Sequence, residues 1–195
     1  MRDIQLLSRD FYSRDTVRVA KNLLGKRLVR MRGKTRMAGE IVEVEAYRGS
    51  DDPASHAYRG KTPRNTPMFG EPGHAYIYFT YGNHYCLNIT TQRSGIAGAV
   101  LIRALQPLEG IRTMKRLRSL VPESELTNGP GKLTKALGID KSLNEVDMTK
   151  RGRLFVEDTC DDDFEIARSS RVGIRDGLDR MWRFYVVGNK CVSRQ

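Results

Sequence analysis

Cysteine is scarce in this chain. There are three, Cys86, Cys160 and Cys191, and no CxxC pair. An odd count at such wide spacing argues against a disulfide framework or a cysteine-rich zinc module, and it fits a reducing compartment. No apolar run approaches the roughly 18–20 residues of a membrane span. The opening residues, MRDIQLLSRDFYSRD, are broken by charges and lack the apolar stretch of a signal peptide. The expected location is therefore cytoplasmic. Internal repeats and low-complexity tracts are missing as well, which sets repeat architectures aside. A length of 195 residues suits one domain spanning 1–195 better than two.

Positive charge is abundant. Lys and Arg number 34 against 23 Asp and Glu, a net charge of +11. That imbalance points to a polyanionic partner, most simply nucleic acid. Hydrophobic residues at 39% and charged residues at 29% are those of a soluble globular protein.

Periodicity predicts a helix over 10–25, with Asp15 able to cap it and Gly25 ending it. Two strands follow, Lys26–Arg32 and Thr35–Tyr47, joined through Gly33-Lys34. Residues 48–73 read as a long Gly- and Pro-rich loop, a length that favours function. Strands Ala75–Tyr81 and Tyr85–Thr91 flank Gly82-Asn83, a two-residue hairpin signal. A buried strand (Ala97–Leu105), two helices (Glu109–Leu120 and Pro130–Leu137) and three short strands (Leu154–Asp158, Phe164–Ala167, Met181–Val187) complete the series. The fold class is α+β: a mixed, mostly antiparallel sheet with surrounding helices and a protruding hairpin.

Several residues could carry chemistry. In the strand Glu40–Tyr47, alternation sends Val42, Val44 and Ala46 to the core and Glu43, Glu45 and Tyr47 to the other face. Glu45 and Tyr47 then offer a general base and a stacking plane on one wall. A solvated strand face bearing two acids has the same pattern. Tyr76, Tyr78, Phe79, Tyr81 and Tyr85 cluster within ten residues, and Tyr81 at a hairpin tip could wedge a base stack. The cluster is also that of an ordinary aromatic strand. His56, His74 and His84 share no metal-ligand spacing, so hydrogen bonding suits them better than a metal. Arg103 sits in an apolar strand, where a carboxylate is its natural partner and Glu45 a candidate, unless this face simply reaches solvent.

The blocks GEIVEVEAYRG (39–49), SHAYRGKTPRNTPMF (55–69), GHAYIYFTYGNHYCLNIT (73–90), VLIRALQPLEG (100–110), NGPGKLTKALGI (128–139), RVGI (171–174) and RFYVVG (183–188) resemble the alkyladenine (3-methyladenine) DNA glycosylase family, in its order and approximate spacing. The resemblance implies that Glu45 activates the attacking water, with Arg103 and the Val172 main-chain carbonyl helping to hold it. It implies that Tyr47, His56 and Tyr78 contact a flipped base and that the Ala54 backbone lines the pocket. It also implies that Asn88 crowds the exocyclic amino group of guanine and that Tyr81 intercalates. Lys132, at a predicted helix start, could meet a phosphate. The partner would be double-stranded DNA carrying a damaged purine, acted on at the nucleoid by a monomer that needs no cofactor, metal or membrane. The polar tip Gly82-Asn83-His84 departs from some relatives, and the loop from His56 to Pro63 looks a residue shorter. A DNA protein that binds lesions without cutting would share the charge and the aromatics; Glu45 separates the two readings. A metal-dependent nuclease is a further rival, distinguished by its sensitivity to chelators.

Overall fold

The structure is a computed structural model, and it describes residues 5–80, 82–159 and 163–194. Among these residues eight strands form one sheet: β1 (Arg27–Arg32), β2 (Thr35–Tyr47), β3 (Ala75–Thr80), β4 (His84–Thr90), β5 (Ala99–Glu109), β6 (Leu154–Glu157), β7 (Ile166–Ser169) and β8 (Arg183–Val186). Four α-helices accompany them among the described residues: α1 (Arg9–Tyr12), α2 (Thr16–Leu23), α3 (Ile111–Leu117) and α4 (Pro130–Leu137). The class is α+β, and every strand pairing between the described residues is antiparallel. No helix among them is long and apolar enough to cross a membrane.

The longest strand, β2, is the spine. One edge runs along β5; the other is shared by β1 near its start and β8 near its end. The main order is β3-β4-β5-β2-β1-β6, with β7 continuing from β8. α2 packs on β2, and α4 packs on β4 and β5. The main core gathers Val19, Leu23, Val42, Val44, Ile102, Leu133 and Phe184, all buried.

The long first helix divides in two. Asp15 accepts bonds from the amides of Val17 and Arg18 at 3.0 and 3.1 Å. A capping residue is non-helical by nature, so the cap that starts α2 also ends any continuous helix before it. α3 starts two residues later than expected because β5 continues through Glu109, and it ends at Leu117 rather than Leu120. Gly110 then turns the chain at φ +74, where a Cβ would meet the Arg36 carbonyl at 2.6 Å. β7 lies two residues later than the alternation suggests.

Thr80 pairs with His84, so residues 81–83 link the hairpin, one more than a two-residue turn. Only Gly82 of its described residues has a positive φ, +68. Tyr81 lies outside the described residues.

Three register shifts interrupt the β2–β5 ladder, and two of them, side by side, shape the region of Glu43 and Arg103. Val44 pairs with Ile102 and Glu43 with Ala104, leaving Arg103 as an extra residue on β5. Glu43 pairs with Ala104 and Ile41 with Leu105, leaving Val42 extra on β2. Bulges re-aim side chains. Arg103 is turned toward Glu43 and Glu45, and Ile41, which strict alternation puts on their face, joins the core with Val42.

Candidate active site

A cavity of about 340 Å³ opens between the long loop, the β3–β4 hairpin and the segment 172–176. Tyr47, Ala54, His56, Tyr78, Asn88, Arg103 and Val172 all line it. Seven residues picked from the sequence, spread over more than a hundred positions, thus meet at one place. The volume suits a small-molecule-sized group.

Glu45 is not on that wall. It is fully buried directly behind it. Its Oε2 accepts the Tyr47 hydroxyl at 2.8 Å. Its Oε1 accepts the Val172 amide at 2.7 Å and faces Arg103 Nη1 at 3.3 Å. The solvated-face alternative for the two acids is therefore set aside. The sequence reading paired Arg103 with Glu45, and that contact is present, but the shorter one is Arg103 Nε to Glu43 Oε1 at 2.8 Å. An ionised carboxylate offers about four lone-pair positions. The two hydrogen bonds take one position on each oxygen, the Arg103 ion pair lies on the Oε1 side, and one position remains on Oε2. The Val172 contact runs through its amide; the carbonyl role implied by the resemblance is a separate matter. Burial first, and then the charge of Glu45, push the Tyr47 hydroxyl well above its ordinary range, so it stays a donor.

Glu43 is equally buried. Burial opposes its ionisation, but Arg103, the Ser193 amide and Arg183 outweigh that and hold it below the usual carboxylate range.

The aromatic walls are built from β3 and the loop. His56 Nδ1 lies 2.9 Å from the Tyr76 hydroxyl, and its ring meets Tyr78 edge-on at 4.6 Å. Burial, with Arg64 second, lowers the His56 pKa to about 4. The ring therefore stays neutral across pH 5–8. Between about 4 and 6.5 the unfolded chain binds a proton that the folded one does not, so His56 withdraws stability as pH falls through that window. A proton NMR titration should place the His56 midpoint near 4, and base release should show no limb near 6.5 from this residue. A midpoint near 6.5 would mean a solvated ring.

The loop is held by residues that the sequence reading missed. Asp52 accepts the amides of Arg48 and Ala54 at 3.0 and 3.2 Å, and both its oxygens accept Arg171 at 2.6 and 2.7 Å. Arg171 also donates to the Ala46 carbonyl at 3.0 Å. Its guanidinium lies 4.7 Å from the Tyr47 ring centre, yet it does not line the cavity, so it backs the ring from behind. The ion pair, buried on both sides, joins the Ala54 turn to the Val172 segment. The only sequence signal was the RVGI block; nothing local pairs residues 119 positions apart. Asn65 adds bonds to the carbonyls of His56 and Gly60 at 2.8 and 2.9 Å.

Asn88 Nδ2 donates to the Tyr76 carbonyl at 3.0 Å, which fixes the amide against the cavity. Lys132 stands apart, bonded to Asn128 at 2.8 Å beside a shallow groove with Arg118 and Lys135. Among the described residues, no group of three or more His, Cys, Asp or Glu is arranged to hold a metal.

Comparison with known proteins agrees with this geometry. The sequence profile of the family described as "Methylpurine-DNA glycosylase (MPG)" matches residues 10–190. A protein of Carboxydothermus hydrogenoformans named "Putative 3-methyladenine DNA glycosylase" is 50% identical over 193 residues, covering 97% of this chain and all of that protein. Proteins of the same name from Clostridium acetobutylicum and Methanocella arvoryzae are 47% and 46% identical, covering 96% and 97% of this chain and 97% and 96% of their own. The chain belongs to the methylpurine-DNA glycosylase family.

Proposed function

We propose that this chain, as one domain over 1–195, is a monofunctional DNA-3-methyladenine glycosylase. It acts as a monomer in the cytoplasm, at the nucleoid. It turns an alkylated or deaminated purine (3-methyladenine, 7-methylguanine, hypoxanthine or ethenoadenine) out of duplex DNA and hydrolyses its bond to the sugar. The observation that carries the reading is Glu45: a fully buried carboxylate held by Tyr47, Val172 and Arg103, immediately behind an aromatic cavity.

A stacked base hides its glycosidic bond, so the nucleotide must leave the helix, at a cost of a few kcal/mol. Tyr81 is proposed as the wedge and Lys132 as a phosphate contact, both of which offset that cost. The purine lies between Tyr47 and Tyr78, beside Ala54 and His56. A cationic alkylpurine gains about 0.5–2 kcal/mol from these ring faces. Arg171 draws on the Tyr47 ring and Arg64 lies 5.1 Å from the Tyr78 centre, which puts that gain at the lower end.

Cleavage proceeds through an oxocarbenium-like sugar, by analogy with glycoside hydrolysis. Water enters at the remaining Oε2 lone pair of Glu45, with the Val172 carbonyl and Arg103 helping to hold it. Its oxygen bonds to the sugar carbon, its proton passes to Glu45, and the base leaves with the electrons of the broken bond. A cationic base leaves neutral; a neutral one needs a proton. Among the described residues no lysine stands in the cavity wall to form an imine, and the proposed product is an abasic site with its strand intact. Incubating the protein with duplexes carrying each lesion should release free base and leave alkali-labile, uncut strands. Binding without release would support the non-catalytic alternative.

Asn88 sets what the cavity refuses. Guanine differs from adenine and hypoxanthine by an amino group in the minor groove. An amide fixed on the Tyr76 carbonyl is a rigid obstacle to that group, and rejection by a clash discriminates without adding affinity. Asn88→Ser and Asn88→Gly should raise release of normal guanine relative to hypoxanthine from matched duplexes. An unchanged ratio, with all activity falling together, would leave Asn88 a packing residue.

A further inference from the structure

We infer that Glu43 is a positioning residue for the cleavage step: it holds the Arg103 guanidinium so that only one nitrogen faces Glu45, leaving Glu45 Oε2 open to water. The inference rests on Glu45 being the base proposed above.

Glu43 does not line the cavity described above. Its Oε1 accepts Arg103 Nε at 2.8 Å, Arg183 Nε at 2.7 Å and the Ser193 hydroxyl at 2.9 Å. Its Oε2 accepts the Ser193 amide at 2.6 Å. Arg103 Nη2 also reaches the Ser193 hydroxyl at 3.3 Å. Arg183 is held in turn by the Ser169 hydroxyl and the Arg194 carbonyl. Glu43, Glu45, Arg103 and Arg183 form a neutral set of two acids and two bases, all buried.

A buried charge network costs desolvation that apolar packing would avoid. Strand packing alone gives no reason for an acid at position 43. The geometry at Glu45 gives one. An unrestrained guanidinium meets a carboxylate with two parallel N–H bonds, one on each oxygen. On Glu45 that arrangement would cover Oε2, whose other site already accepts Tyr47. Anchoring Nε on Glu43 and Nη2 on Ser193 fixes the guanidinium plane and presents Nη1 alone, at 3.3 Å from Oε1. The bulge at Arg103 makes this reach possible, because it sets the arginine between two acids that sit two positions apart on β2.

The test is a pair of double-mutant cycles read by single-turnover release of hypoxanthine, with lesion-duplex Kd measured alongside. Glu43→Gln should slow release by about 10–100-fold, the scale of a small misplacement of a reacting group, and leave Kd within about twofold. The same change made in Glu45→Gln should cost nothing further, because both act at one atom and such effects do not add. Glu43→Gln leaves two buried arginines against one acid and can impair folding. Ser193→Ala keeps the charge balance, and it should slow release by roughly 3–10-fold in wild-type protein and not in Glu45→Gln. Losses that repeat in full in Glu45→Gln, or full activity in both Glu43→Gln and Ser193→Ala, would overturn the positioning role while leaving Glu45 as the base. Full activity of Glu45→Gln by itself would remove the base, and the positioning role with it.

Discussion

Glu45→Gln is expected to bind a lesion-containing duplex as tightly as the unaltered protein and to release base roughly 10²–10⁴-fold more slowly, the contribution of a positioned general base. The amide is nearly the same shape, so the cavity wall formed by Tyr47, Arg103 and Val172 keeps its outline. What goes is the negative charge that, in the proposed mechanism, takes the water proton and faces the developing sugar cation. The amide also presents a second donor to Val172 N–H or to the Tyr47 hydroxyl, one of which loses its acceptor. Single-turnover release with enzyme in excess, paired with a binding isotherm on the same duplex, separates chemistry from affinity. A rate within threefold of wild type, as an order-of-magnitude threshold, would take the general-base role away from this residue.

The second large effect is on stability. Asp52→Ala is expected to cost about 3–5 kcal/mol, because it leaves the wholly buried Arg171 cation without its partner. Out of a typical total of roughly 5–15 kcal/mol, that brings the fold near its limit. At about 2–4 °C per kcal/mol for a chain of this size, the melting temperature falls by roughly 6–20 °C. By contrast, Glu123→Ala removes the exposed partner of Lys115, 3.4 Å away, and should change stability by about 0.5 kcal/mol or less. Comparing the two melts by circular dichroism tests the difference. A loss for Asp52→Ala no larger than that for Glu123→Ala would mean that water reaches the Arg171 pair in solution.

Local chemistry was readable in the sequence where one residue decides the outcome. Asp15 marks a helix start, Gly129-Pro130 another, and Gly33 a hairpin between β1 and β2, and each is found. The family resemblance pointed to seven residues that the fold brings to one cavity. Depth was harder to read. Alternation put Glu43 and Glu45 on one face but could not tell a wet face from a dry one, and the dry one is real. Pairing across long separations was invisible: Asp52 and Arg171 each look like a surface charge until the loop and the 171–174 segment are brought together. A period of two also cannot contain a bulge. It assigns Ile41 to the acids' face and has no place for an arginine reaching two glutamates at once.

Those paired bulges have a consequence for how this site tolerates insertion and deletion. The extra residue on β2, Val42, is cancelled by the extra residue on β5, Arg103, so pairing on either side keeps its own register. Removing Val42 alone breaks that cancellation. One half of β2 must then turn over relative to the other: either Glu43 and Glu45 exchange places with Val44 and Ala46, or the β1-paired half takes the wrong face. Every side chain of the site would still be encoded and none would be in position. The candidate site is thus specified by the number of residues between two points as much as by their chemistry. Length changes should be borne in the hairpin link or the outer loops and refused between Ile41 and Glu45.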